Sequence, residues 1–140
     1  MKRVFVRSLW VVLACVCVLS LVACGAGIRG EDAKATIRSF FDAVEAEDYA
    51  AAAVLLHPSC TVEPETVFGG MEETMGLDFQ AGIEIKSYTG MAAALYDSSV
   101  DGATYALTMK AAVGDQAVEI VVELVKNDEG YGITNVEISR

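Results

Sequence analysis

The sequence predicts an α+β domain, helices first and then an antiparallel sheet of four to five strands. Two observations carry this. Over residues 31–57 apolar side chains recur with a helical period: Ile37, Phe40, Phe41 and Val44 stand at i, i+3, i+4 and i+7. From residue 82 the period becomes two. Ile83 and Ile85 share a face, as do Tyr105, Leu107 and Met109, and then Val118, Ile120, Val122 and Leu124. A helix with one apolar stripe and a sheet with one apolar face must cover each other. The 140 residues contain no internal repeat and suit one domain.

Each element follows from local chemistry. Glu31 and Asp32 suit the positive end of a first helix, and Ala33 extends its stripe back one turn. Glu45, Glu47 and Asp48 would be unfavourable at a helix C-terminus. A break is therefore predicted there, with Asp48 as N-cap of a second helix over Tyr49–Leu56. Pro58 ends that helix, because the residue before a proline is pushed out of the helical region. Residues 59–81 read as irregular, punctuated by Pro64, Gly69, Gly70 and Gly76, with one helical turn at Met71–Met75. Glu63, Glu65, Glu72 and Glu73 lack the alternating spacing of a calcium loop and read as a solvated loop. Residues 91–100 are read as strand, in preference to a turn of helix. Asp101-Gly102, Gly114-Asp115 and Asn127–Gly130 are turns, Tyr131–Ile138 is the last strand, and strands joined so tightly run antiparallel.

The N-terminus has a different character. Lys2, Arg3 and Arg7 precede an apolar run from Leu9 to Leu19. That is the length of a signal-peptide core and well short of the roughly 20 residues that span a bilayer. Leu21-Val22-Ala23-Cys24 follows. It resembles the bacterial lipoprotein lipobox, in which an apolar and two small-to-medium residues precede an obligatory cysteine. The resemblance implies cleavage between Ala23 and Cys24, and a thioether-linked diacylglycerol with palmitate-type chains on Cys24. Residues 1–23 are then signal peptide, 24–30 a flexible tether and 31–140 the domain. The chain would be anchored in the cell membrane through its lipid, on the extracytoplasmic face. Two acyl chains suffice for stable anchoring.

Cleavage changes the inventory. Removing 23 residues and three basic charges leaves 117 residues at −13. Nucleic acid is excluded as a partner, because phosphate binding relies on Lys and Arg. Cys15, Cys17 and Trp10 leave with the signal, Cys24 carries lipid, and Cys60 remains as a free thiol, read as a small buried apolar residue. No metal-ligand spacing, phosphate loop or nucleophile–base pair is present, and no cofactor or catalytic residue is expected.

The order of elements is similar to the nuclear transport factor 2-like family, the cystatin-like cone. Two stretches carry the resemblance: Ile37 to Ala50 with Leu55 to Pro58, and Leu124 to Ile133, where family members often have Trp in place of Tyr131. It implies a curved sheet around the helices, with a pocket between them. Family enzymes such as ketosteroid isomerases and polyketide cyclases place an acid–base pair in that pocket. No such motif maps onto this chain. The residues that could face a pocket are His57, Tyr88, Tyr96 and Tyr105, with Asp78 and Asp97 as weaker candidates. The expected function is a non-catalytic binding or protein-interaction domain, acting through its pocket or through the exposed sheet, where a protein partner or a second copy would dock. A small-molecule isomerase or cyclase is the alternative.

Overall fold

A computed structural model describes residues 27–140. The expected signal peptide, the cleavage point at Ala23 and Cys24, and the lipid site at Cys24 lie outside the described residues. The described chain is α+β. Three helices, α1 (Gly30–Glu45), α2 (Tyr49–Val54) and α3 (Pro64–Met75), pack against a curved, open antiparallel sheet. Its strands β1 (Ile83–Asp97), β2 (Gly102–Val113), β3 (Gln116–Asn127) and β4 (Gly130–Ser139) lie in sequence order. Among the described residues no helix is long and apolar enough to cross a membrane.

The α1 stripe is the predicted one. Ala33, Ile37, Phe40, Phe41 and Val44 are all buried, and each large apolar side chain so removed from water contributes roughly 1.5–3 kcal/mol. Helix α1 ends at the acidic break, where Glu47 takes a left-handed φ of 53°. The Asp48 side chain then accepts the Ala51 N–H at 3.0 Å and caps α2. Helix α2 stops at Val54, two residues earlier than predicted, because Leu55 and Leu56 leave it to meet the sheet.

Residues 59–81 are the main correction. They form α3, followed by a 3-10 turn at Phe79–Ala81. Pro64 occupies the first turn of α3, where a proline loses no hydrogen bond. Gly76 closes the helix in the left-handed region, φ 62°. Glu65, Glu72 and Glu73 therefore lie on a helix, with Glu63 at its N-cap, and do not form a solvated loop. Phe68 fixes α3 to the core. Its ring stands edge-on to Phe79 at 5.0 Å and tilted against Phe40 at 5.8 Å.

The sheet has four strands, and what remains of a fifth is a single bridge. Leu56 pairs in parallel with Ile133. The His57 N–H donates to the Ile133 carbonyl at 2.8 Å and the Ile133 N–H to the Leu55 carbonyl at 3.0 Å. This approach requires Gly132, because a Cβ there would stand 2.4 Å from the His57 nitrogen. The β4 edge is thus covered and the β1 edge is not. β1 is also irregular, with register shifts between Ile85 and Ser87, Tyr88 and Gly90, and Ala94 and Asp97. The first two turn Tyr88 and Met91 toward the helices, opposite Met109 and Leu107. α1 begins over Tyr105, where a Cβ on Gly30 would meet the phenol oxygen at 3.0 Å, so the end of β1 beyond it lies without helical cover.

Candidate functional site

The space between helices and sheet is filled. Phe40, Phe41, Ile120 and Val122 occupy it, each at most 2% exposed. The pocket residues expected from the sequence do not converge there or anywhere else.

His57 is buried, 1% exposed. The residues around it fix its tautomer. Nδ1 accepts the Ser59 N–H at 3.1 Å and faces the Ser59 hydroxyl at 2.7 Å. Nε2–H therefore donates to Asn127 Oδ1 at 2.9 Å. Asn127 is itself held, because its Nδ2 donates to the Val100 carbonyl at 2.9 Å and its Oδ1 also accepts the Glu129 and Gly130 N–H groups. Both ring nitrogens are engaged within the chain. The imidazole joins the end of α2 to the β1–β2 and β3–β4 turns, a structural link between segments 70 residues apart.

The tyrosines lie in separate places. Tyr105 is a core residue of β2. Tyr96 is 63% exposed; its hydroxyl donates to Asp101 Oδ1 at 2.8 Å, and that carboxylate holds the phenol above its usual range. Tyr88 lies under the Lys34 ammonium, 4.9 Å from its ring centroid. The Tyr88 hydroxyl is buried with no hydrogen-bond partner among the described residues. Asp78 caps the 3-10 turn through the Ala81 N–H, and Asp97 accepts from Ser99 in the β1–β2 turn. Tyr131, in the position where the resembling family has Trp, shares a hydrogen bond with the Thr36 hydroxyl at 3.0 Å. Burial pushes its phenol up, and the Thr36 bond partly opposes this.

Several concave regions do exist among the described residues. A small apolar pocket of about 130 Å³ opens between α3 and β4, lined by Phe40, Leu56, Val62, Val67 and Phe68 among others. Cys60 borders it, half-buried, with its thiol directed to the Thr134 carbonyl at 3.6 Å. A hollow of about 370 Å³ lies on the outer sheet surface, over Ala92, Ala94, Thr104, Ala106 and Val125. Val125 faces outward by register yet is 5% exposed, and Val100 of the β1–β2 turn lines the same hollow. A third cleft, about 310 Å³, separates α1 from β1 and is lined by Arg38, Lys86, Ser87 and Tyr88. Sequence periodicity marked none of these, because each joins segments brought together only by the fold. The alternating small residues Ala92, Ala94, Thr104 and Ala106 were the one available signal, for the outer hollow.

Among the described residues no group of three His, Cys, Asp or Glu side chains could hold a metal ion. Comparison of the chain with protein-family models, curated proteins and solved structures finds no match.

Proposed function

We propose that the chain is a lipid-anchored extracytoplasmic binding domain, a member of the cystatin-like cone class, which engages a protein partner through the outer surface of its sheet. The signal through Ala23 is removed, Cys24 carries the diacylglycerol, and the acyl chains hold an acidic domain at the membrane. The observation that supports binding at the sheet is the hollow over Ala92, Ala94, Thr104 and Ala106. It is wide, built from small side chains, and opposite the packed helices. Small side chains leave a partner's larger ones room to enter.

Two measurements test this. Metabolic labelling with an alkyne fatty acid should mark the native protein and not Cys24→Ser, which should also leave the membrane fraction. A photo-crosslinking residue in place of Ala106, in intact cells, should give a discrete heavier adduct that the same residue at the exposed Val54 does not. Identical adducts from the two positions would refute the sheet as the binding surface.

A further inference from the structure

We infer that the flank formed by α1 and the distal half of β1, with Met91 and Leu95 at its centre, lies against the bilayer that holds Cys24. The inference rests on the lipid-anchor reading and adds an orientation to it.

Position comes first. Gly27 lies against Leu95, so closely that a Cβ on the glycine would stand 2.8 Å from Leu95 Cδ2. Cys24 is three residues upstream. Three residues span at most about 10 Å, so an acylated Cys24 keeps Leu95 near the lipid surface whatever path the tether takes.

The side chains at that place suit a bilayer. Met91 is 67% exposed and Leu95 74% exposed. Met91 faces the helix side of the sheet, opposite the buried Leu107. It lies on the edge strand of the sheet, which no further strand covers among the described residues. Neighbouring Tyr96, 63% exposed, is of the type that favours the headgroup level.

Charge agrees. The mature chain carries −13, and anionic headgroups repel most of its surface. Near the start of α1 Asp32 meets Arg29 at 3.9 Å and Glu31 meets Lys34 at 3.3 Å, and at the near end of β1 Glu84 meets Lys86. Arg38, lining the adjoining cleft, adds a further positive charge. Three of the seven basic residues that follow Cys24, Arg29, Lys34 and Arg38, lie on α1 or just before it. Asp97, the last residue of β1, and Asp101, in the turn after it, mark where acidity resumes. A second copy pairing along β1 fits less well, because three register shifts interrupt the ladder such a copy would need.

The test uses the processed, lipidated chain with Cys60→Ala, reconstituted in phosphatidylethanolamine–phosphatidylglycerol vesicles. An environment-sensitive fluorophore is placed at Met91→Cys or Leu95→Cys, and at Asp115→Cys or Glu137→Cys as controls. All four sites are solvent-exposed, so labelling leaves the core intact. Nitroxide-labelled lipid should quench positions 91 and 95 roughly twofold or more, as for side chains at the acyl boundary, and leave 115 and 137 unaffected. Equal aqueous accessibility at 95 and 137, on protein that floats with the vesicles, would overturn the orientation and leave the anchor standing. Shielding of 95 from both aqueous and lipid quenchers would assign the patch to a protein neighbour, and also overturn it. If the chain is unacylated and does not float, the anchor reading fails, and the orientation with it.

Discussion

Replacing His57 with alanine should destabilise the domain without removing any group that acts on a ligand. The side chain is 1% exposed, and its loss leaves a ring-sized void next to the β4 edge. Its Nε2–H bond to Asn127 Oδ1 contributes about 1 kcal/mol net. The acceptor is not orphaned afterwards, since Glu129 and Gly130 still donate to it. The cost is therefore the bond plus the void, about 2–4 kcal/mol, overlapping the lower part of the range for a buried Phe→Ala. In a domain of this size that lowers Tm by on the order of 10 °C. Urea unfolding of the Cys24→Ser mature chain would measure it, together with Asn127→Ala and the double variant. Asn127→Ala alone should cost at least as much, because it also releases Val100, Glu129 and Gly130. The cycle should give a coupling of about 1 kcal/mol. A coupling near zero, or a His57→Ala variant of normal stability that has lost partner binding, would refute the structural assignment and return His57 to the binding surface.

Three other outcomes follow from the same geometry. Gly132→Ala should cost about 1–3 kcal/mol or more, because the new Cβ would meet the Leu56 and His57 backbone at 2.4–2.8 Å; amide exchange at Ile133 should accelerate with it. Tyr88→Phe should leave stability unchanged or raise it by up to about 1 kcal/mol, since the buried hydroxyl has no partner to lose; a clear loss in thermal melts would mean the hydroxyl is engaged. The Ser99 hydroxyl and N–H both donate to Asp97 and hold its carboxyl below the usual range. A depressed folded value stabilises above the unfolded-chain value and is lost as pH falls through the folded one, so Ser99→Ala should move the acid limb of the stability curve to higher pH in a pH series of melts.

Much of this architecture was legible in the chain. Ile37, Phe40, Phe41 and Val44 announced α1 by spacing, and Asp48 announced the restart by its capping chemistry. The strict alternation of β2 and β3 gave their buried faces. Helix α3 was hidden because its interior holds Gly69 and Gly70 and it buries only Pro64 and Phe68, so its periodic signal is weak. Its ends did speak, with Pro64 in the first turn and Gly76 at the stop. The candidate site was less legible. Tyr88 and Met91 change sides at two bulges that no alternation rule reveals. The burial of His57 depends on Asn127, 70 residues away.

The bridge between Leu56 and Ile133 bears on how the domain forms. It joins the first third of the folded chain to the final strand, a contact of high sequence separation, and such contacts slow folding because a long loop must close first. β4 also supplies Ile133 and Ile138 to the core and is the last strand of the sheet. A chain emerging N-terminus first, from a ribosome or through a narrow pore, cannot close this structure until nearly its whole length is out. Helices α1 and α2 must wait, apolar faces open, for the residues that will cover them.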